Sequence, residues 1–344
     1  MTDRSSPRQG GTVATDDGTY VLAPSPPAII PTSTVGLPPE LAADLNQAGE
    51  FARAEKAMAT RRAYKSDFEI FELWCANRGV GALPAAAETV AALLASEAMR
   101  RIKPSTIGRR AASIRYVHKL AGHPVPTDDE RVRATVRGIR RAIGIAPSKK
   151  APATADRLIA MAAAGNGGIT ALRDRALLLL GFGGAFRRSE LVALDVADIT
   201  ETKDGLLVTI RRSKTDQEGR STTVAVVRGK IACPVAALRA WLTVAGISDG
   251  PVFRPITKSG KVRPTRLTDR SVANIVKYRA ERLGLDPRAF AGHSLRAGFL
   301  TSAAARGASL FKMADVSRHK SMDTLRGYVR DTEVFKNHAG EGLL

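Results

Sequence analysis

The stretch ALRDRALLLLGFGGAFRRSELVAL, residues 171–194, joins an apolar run to a charged one. Its leucine- and alanine-rich part predicts a buried helix, because apolar residues occupy all of its faces. Arg187 follows at the end of that helix, beside Ser189 and Glu190. Taken alone, this arginine has a simple structural explanation, an ion pair with Glu190. Whether it does more depends on the rest of the chain.

Length and charge limit the class of protein. With 344 residues, the chain is long enough for two domains that each bury a core. It contains 53 Lys and Arg against 33 Asp and Glu, a net charge of +20. An excess of this size is typical of proteins with a polyanionic partner, most often nucleic acid. Residues 1–50 have two arginines against six acids, so the basic surface belongs to the remainder of the chain.

Cysteine content and hydropathy favour a cytoplasmic protein. Cys75 and Cys233 match no zinc or CxxC spacing, and we expect both to be small core residues in a reducing compartment. The sequence has no apolar run of about twenty residues, which a membrane span would need, and its N-terminus has no signal-peptide pattern. We therefore expect a cytoplasmic, nucleoid-associated protein with no membrane partner.

The N-terminal part of the chain predicts two regions. Residues 1–37 contain five prolines and many Ser, Thr and Gly residues, a composition typical of disorder. Residues 38–145 predict a helical domain that contacts DNA. Aromatic residues at spacings of three and four form its predicted core stripe: Tyr64, Phe68, Phe71 and Trp74.

Two successive predicted helices of this domain are rich in arginine. We interpret them as a surface that follows DNA phosphates, and the simpler alternative is an ordinary solvated face. The arginines assigned to this surface are Arg109, Arg110, Arg115, Arg133, Arg137 and Arg140.

The C-terminal part predicts a linker and a second domain. Residues 146–154 contain prolines, lysines and small residues, which are typical of linkers. Residues 155–344 follow as a domain of mixed pattern, in which GLLVTIRRSKTDQEGRSTTVAVV (205–227) predicts a β-hairpin. The expected fold class is therefore mainly α, with a small antiparallel β-sheet in the C-terminal domain.

Two further segments of the second domain carry reactive side chains. An HxxR pattern places His293 and Arg296 on one face of a helical turn. The basic stretch VSRHKSMDTLRGYVR (316–330) contains His319 and, nine positions later, Tyr328. Each pattern is weak as a single signal, since either side chain pair could be structural.

Together these side chains fit the cleavage of a phosphodiester by a protein nucleophile. That reaction needs a hydroxyl for in-line attack, guanidiniums for the non-bridging oxygens, an acid for the leaving oxygen, and a base or donor near the nucleophile. Lys214, in the predicted hairpin turn, is the candidate acid, although Lys203 and Lys258 also lie near predicted turns. The sequence offers no clustered carboxylates like those of a two-metal nuclease, so we expect neither a metal nor another cofactor.

The order and spacing of these motifs resemble the tyrosine recombinases, the phage integrase family. The motifs are Arg in RxSEL, Lys on a hairpin turn, HxxR, and His and Tyr nine apart. The two-domain layout, the LTDRS helix start and the string HSLRAG look most like the Cre branch. The resemblance covers roughly residues 40–335 and is most specific in the C-terminal motifs.

The resemblance implies a role for each motif residue. Arg187 and Arg296 would activate the scissile phosphate, and His319 would donate a hydrogen bond to it. Lys214 would be the general acid toward the leaving 5′ oxygen, and His293 would assist proton transfer at the nucleophile.

The resemblance also implies the nucleophile and the assembly. Tyr328 would attack to form a 3′-phosphotyrosyl bond, and Glu190 would hold the geometry of the site. Arg270 would reach a base edge in the major groove, and its alternative is a salt-bridged surface arginine. Two domains would clamp double-stranded DNA in a C shape, as a dimer on each inverted-repeat core site and a tetramer in the synapse. Residues 333–344 are a candidate helix that docks in a neighbouring copy or packs on its own domain. A type IB topoisomerase and a non-catalytic DNA-binding regulator are the alternatives.

Overall fold

The computed structural model describes residues 12–14, 20–22, 37–144, 150–165, 167–211, 221–319 and 321–332. Contacts divide the chain into two compact units, residues 1–147 and 148–344, and each is described by itself. The prediction of a mainly helical protein with a small antiparallel sheet is confirmed. Within the described ranges, none of the helices combines the length and the apolar character that a membrane span requires.

Unit 1 contains a short hairpin and a set of helices. Strands β1 (Thr12–Ala14) and β2 (Tyr20–Leu22) pair antiparallel within the segment predicted to be disordered, and the remainder of that segment up to residue 36 lies outside the described residues. The helices are α1 (Pro39–Ala54), α2 (Met58–Ala76), α3 (Ala87–Met99), α4 (Pro104–Leu120) and α5 (Glu130–Ile143).

The core of unit 1 lies between α2, α3, α4 and α5. Phe68 and Phe71 of the predicted aromatic stripe are buried together with Cys75, and Trp74 is half-buried against the same core. The period of the stripe therefore identified the inward face of α2, as the geometry of an α-helix requires.

The structure corrects the assignment of Arg110 to a DNA-facing surface. Its side chain is buried, pairs with the carboxylate of Glu97, and lies 3.7 Å from Asp67, measured from Nε to Oδ1. A buried charge is stable only when it is paired and hydrogen-bonded, so these two acids hold the guanidinium inside the bundle. Arg110 therefore links α2, α3 and α4 and is not available to phosphates.

Unit 2 combines helices with one three-stranded sheet. Its elements are α6 (Ala155–Ala163), α7 (Gly168–Gly183), α8 (Arg188–Ala193), β3 (Ile199–Glu201), β4 (Gly205–Ile210), β5 (Thr222–Val227), α9 (Pro234–Ala245), α10 (Asp269–Glu281), α11 (Ser294–Ala305), α12 (Leu310–Ser317) and α13 (Met322–Thr332).

The core of unit 2 is built around α7. Leu177, Leu178 and Leu180 are fully buried, and α7 packs along α9, which confirms the predicted buried helix. Trp241 of α9 is also fully buried, and its indole N–H donates to the carbonyl oxygen of Val252 over 2.8 Å. The apolar core thus fixes the direction of α7, whose C-terminal end leads into the charged residues of the opening stretch.

The antiparallel sheet has the order β3–β4–β5. In the predicted hairpin, Val208 of β4 lies opposite Val224 of β5, and both side chains are buried. The hairpin prediction is confirmed. Its turn, residues 212–220, lies outside the described residues, and Lys214 lies outside with it.

A buried ionic network joins α10 to α7. Asp174 of α7 is 3% exposed and accepts hydrogen bonds from Arg173 and from Arg279 of α10. The second guanidinium nitrogen of Arg279 donates to the carbonyl oxygen of Ala164. The buried carboxylate is therefore fully paired, as stability requires for a buried charge.

An extended segment before α6 packs on the start of α11. The N–H groups of Ala151 and Ala153, which the sequence assigned to the linker, donate to the carbonyl oxygens of Ala289 and Ser294 over 2.8 and 2.9 Å. Gly298 allows this close approach, since a Cβ there would lie 1.8 Å from the carbonyl oxygen of Ala153. The contact holds the first turns of α11, which carries Arg296.

We predict that Gly298→Ala destabilises unit 2 by about 2 kcal/mol, because the added methyl group overpacks a backbone contact that cannot move without shifting α11. Thermal or urea denaturation measures the loss. Gly327→Ala in α13 is the matched control, because a Cβ there meets nothing within 4 Å, and it should be neutral or stabilise by about 0.5 kcal/mol. Equal stability of the two variants would contradict the prediction.

Candidate active site

The loop after α7 positions Arg187. This residue lies at the N-terminus of α8, where its backbone N–H donates to Glu190 Oε2 over 2.9 Å and its Nη1 donates to Glu190 Oε1 over 2.6 Å. The carboxylate therefore holds both the main chain and the side chain of the arginine. The ion pair that the sequence left as a simple explanation is present, and it fixes the direction of the guanidinium.

Arg296 projects from α11 into the same region. Its side chain is 1% exposed, and its Nη1 donates to the carbonyl oxygen of Ala185 over 2.7 Å. Burial and then the nearby charges of Arg187 and Arg318 lower the pKa of Arg296 to about 9. Burial and like charges both disfavour the charged form of this guanidinium, and a bound anion would stabilise that form.

Glu190 is shared by two guanidiniums. Arg318 Nη2 donates to Glu190 Oε2 over 2.8 Å, the same oxygen that accepts from the N–H of Arg187. Burial raises the pKa of the carboxyl group, but Arg318 and Arg187 outweigh it, so the pKa of Glu190 is lowered. The carboxylate stays ionised among arginines whose combined charge exceeds its own.

Ser317 orients the ring of His319. The Ser317 hydroxyl donates to the carbonyl oxygen of Met313 over 2.6 Å and lies 2.8 Å from His319 Nδ1. Because the only hydroxyl proton is already used, we assign the second contact to Nδ1–H donating to the serine oxygen. The ring's Nε2 is then an acceptor, and Arg296 Nη2 lies 3.4 Å from Nε2 and 3.3 Å from Nδ1.

Both motif histidines favour the neutral form in the free protein. Burial, followed by Arg296 and Arg187, lowers the pKa of His319 to about 4 and lowers the pKa of His293 as well. An anion bound beside these rings would offset the cationic surroundings and raise both pKa values.

Tyr328 lies on α13 beside this cationic group. Its ring is half-buried and packs with Leu300, Met313 and Leu325, where α13 contacts α11 and α12. A charge on its phenol oxygen would be close enough to raise the pKa of Arg296. The packing fixes the ring, and the tyrosine is therefore held next to the buried guanidinium.

The structure brings most of the predicted site residues together. Those that share contacts or charges in unit 2 are Arg187, Glu190, His293, Arg296, His319 and Tyr328. Sequence reasoning missed Ser317 and Arg318, which precede His319 in the basic stretch. The density of basic residues there was the available signal, but it does not tell which side chain turns inward. In the described part of the chain, no group of His, Cys, Asp and Glu could hold a metal ion.

The exposed arginines of unit 1 are partly paired with acids. Arg115 and Arg133 both contact the carboxylate of Asp128, and Arg137 pairs with Glu130. Exposed ion pairs contribute little free energy, so DNA phosphates can compete for these guanidiniums. Of the remaining predicted contacts, Arg109 pairs with Asp67, while Arg140 and Arg270 are exposed.

Arginines, histidines and a tyrosine thus lie in one cluster of unit 2. Residues 152–334 match the family model of the phage integrase family. The chain belongs to this family of tyrosine recombinases, enzymes that break and rejoin DNA strands, and the family resemblance seen in the sequence is confirmed.

Individual relatives agree with this membership. The chain is 39% identical over 295 residues to the integrase/recombinase xerD homolog of Selenomonas ruminantium, covering 83% of this chain and 86% of that protein. It is 24% identical over 281 residues to the recombinase cre of Escherichia phage P1, covering 76% and 80%. Its fold is similar to that of the XerH site-specific recombinase bound to palindromic difH substrate in a post-cleavage complex, with a TM-score of 0.53, 15% identity, and coverage of 91% and 90%.

We predict that part of the stability of unit 2 is lost as the pH falls from about 6.5 to about 4 through His319. The pKa of His319 in the folded protein is about 4, below its ordinary value of 6.5, so the unfolded chain takes up a proton first and protonation favours unfolding. When denaturation is measured across this pH range, the free energy of unfolding of His319→Gln should depend less steeply on pH than that of the wild type. His123→Gln in unit 1 controls for the loss of a histidine. Equal pH dependence in the wild type and His319→Gln would contradict the prediction.

Proposed function

We propose that this protein is a site-specific DNA recombinase that cuts and rejoins strands through a 3′-phosphotyrosyl bond to Tyr328. The proposal rests on one observation above all, the buried guanidinium of Arg296. Burial and then the charges of Arg187 and Arg318 lower its pKa to about 9. Such a group is best satisfied by an anion. A phosphodiester carries one negative charge on its non-bridging oxygens, and negative charge builds up there in the transition state.

In the proposed reaction, the phenol oxygen of Tyr328 attacks phosphorus in line and forms a P–O bond. The bond from phosphorus to the 5′ oxygen breaks on the opposite side. The phenolic proton passes toward His293, which is neutral in the free protein and able to accept it. Lys214 donates a proton to the leaving 5′ oxygen. The reverse steps join a new strand, and the phosphotyrosyl bond conserves the energy, so neither ATP nor a metal is consumed.

Arginine is suited to the phosphate in this proposal. The planar guanidinium presents parallel N–H donors to two oxygens, and it remains cationic at neutral pH even where burial lowers its pKa. Arg187 and Arg296 would each contact a non-bridging oxygen, where charge increases during attack. His319 would donate its Nε2 proton once the anion has raised its pKa.

The wider DNA contacts of the proposal come from both units. Exposed arginines of α4 and α5 would follow the phosphates, and Arg270 at the start of α10 would read a base edge. The substrate would be an inverted-repeat core site bound by two copies, with four in the synapse. Residues 333–344, which lie outside the described residues, are a candidate helix for docking on a neighbouring copy or on their own unit. The reaction would take place on nucleoid DNA in the cytoplasm.

We predict that Tyr328→Phe abolishes covalent chemistry and leaves DNA binding within about twofold, because it removes the attacking oxygen and keeps the packed ring. The substrate is a duplex nicked beside the cleavage position, so that a short fragment diffuses away and traps the intermediate. Wild type should form a denaturant-resistant protein–DNA band whose labelled peptide contains Tyr328.

Matched variants separate this outcome from others. Tyr278→Phe, on α10 with an exposed ring, should form the band at the wild-type rate. A band from Tyr328→Phe, or a labelled peptide containing another tyrosine, would contradict the mechanism. Relaxation of plasmids that lack any target site would instead favour a type IB topoisomerase activity.

We also predict a strong salt dependence of binding that depends on α5. Replacing Arg133, Arg137 and Arg140 with alanine should lower the slope of log affinity against log salt by about 3, since each phosphate that is no longer neutralised lowers the slope by about 0.9. The triple lysine variant keeps the charges and should keep the slope. Affinity measured over a salt series tests this, and an unchanged slope in the alanine variant would show that α5 does not contact phosphates.

A further inference from the structure

Arg318 has a backbone conformation that is unusual for an arginine. It ends α12 with φ 57° and ψ 40°, in the left-handed region. Glycine is the residue that adopts this conformation readily, because a Cβ crowds the following carbonyl group. A residue with a long charged side chain is retained there only where the surroundings compensate.

The side chain of Arg318 is only 9% exposed and reaches into the loop before α8. Its Nη1 donates to the carbonyl oxygens of Val316 and Gly184 over 2.7 and 3.2 Å, and its Nη2 lies 3.4 Å from the carbonyl oxygen of Ala185. The guanidinium carbon lies 5.3 Å from the centre of the Phe186 ring. The left-handed backbone at the end of α12 therefore directs this arginine inward, under the active-site loop.

Each proposed phosphate-binding arginine shares a partner with Arg318. The carboxylate of Glu190 accepts from Arg318 and also holds Arg187. The carbonyl oxygen of Ala185 accepts from Arg296 over 2.7 Å and also receives Arg318. Ala185 itself has a positive φ of 45°, so the loop is in an unfavourable conformation that Arg318 helps to hold.

Arg318 also affects how much positive charge Arg187 can offer to an anion. Arg318 takes up part of the negative charge of Glu190, so Arg187 is only partly neutralised and keeps positive charge for an anion. Without Arg318, the carboxylate would turn wholly to Arg187 and weaken that charge. Arg318 has no free donor for DNA in this arrangement except its Nε, which is buried and has no hydrogen-bond partner among the described residues.

We propose that Arg318 is a positioning residue for DNA cleavage, which acts through Glu190 and Ala185 to set the orientation and charge of Arg187 and Arg296. It does not touch the DNA. This role rests on the proposed function. A purely structural ion pair would stabilise the fold in the same way, but it would not change the rate of the chemical step in molecules that are folded.

The test measures single-turnover formation of the covalent complex at saturating nicked duplex. The amplitude counts folded, bound molecules, and the rate constant reports the geometry of the site. Arg318→Gly removes the guanidinium and relieves the backbone, and we expect its rate constant to fall about 100-fold with a wild-type amplitude and little change in DNA affinity. Arg318→Lys keeps the positive charge, but its single ammonium group cannot reach all the acceptors of the guanidinium. Its rate constant should lie between those of the wild type and Arg318→Gly.

Arg279→Gln is the matched control, because Arg279 is a buried arginine of unit 2 that pairs with Asp174 outside the site. It should lower the melting temperature and leave the rate constant within about threefold of wild type. Glu190→Gln should slow the reaction as well, and combining it with Arg318→Gly should add little, because both act on one contact.

The outcomes separate the two proposals. If wild type forms the complex and Arg318→Gly reacts at the wild-type rate, the role of Arg318 is wrong and the proposed function stands. Loss of amplitude alone, or full additivity with Glu190→Gln, would also overturn the positioning role. If Arg318→Gly does not fold, the rate constant of Arg318→Lys decides in the same way. If wild type forms no complex, the proposed function is wrong, and the role of Arg318 falls with it.

Discussion

Glu190 is a carboxylate with 2% exposure that holds two arginines from different parts of unit 2. One of them, Arg187, immediately precedes α8, and the other, Arg318, immediately follows α12. A buried carboxylate without partners would be protonated or would unfold the site. Both guanidiniums are needed to keep the carboxylate ionised. The start of α8 and the end of α12 must therefore lie next to each other at Glu190. This contact also sets the position of the loop between α7 and α8, and the position of His319.

The surroundings of Arg296 and His319 disfavour the charged forms of both side chains, and a bound anion would offset this effect. Burial and like charges lower the pKa of Arg296 to about 9 and that of His319 to about 4. In most proteins such costs are avoided, and perturbed groups of this kind cluster where charge has to be bound or moved. The compensation comes from the apolar core around α7, which is large enough to hold α11 in place despite the repulsion.

The arginines on the surface of unit 1 differ from the buried Arg296, because they are exposed and paired with acids. They share the surface with acids such as Asp128 and Glu130, so their charges are screened but accessible. Exposed ion pairs exchange partners at little cost in free energy. This property suits the sequence-independent phosphate contacts that are proposed for this surface. Arg110, which is buried in the same unit against Glu97, instead has one fixed arrangement.

The sequence alone determined the features that depend on local spacing. Helical periodicity identified the inward face of α2 through Phe68 and Phe71, and alternation of β-branched residues identified the hairpin of β4 and β5. The motif order identified the family, and it predicted six residues that unit 2 brings together.

Only the tertiary structure decided which charged side chains turn inward. Arg109 and Arg110 are neighbours in the sequence, yet one is half-exposed and the other is buried against Glu97. Arg318 resembled any basic surface residue until its left-handed backbone and its contact with a carboxylate 128 positions away were seen. Sequence spacing predicts the face of one helix, but the partner of a buried charge comes from another element, and long-range packing selects it.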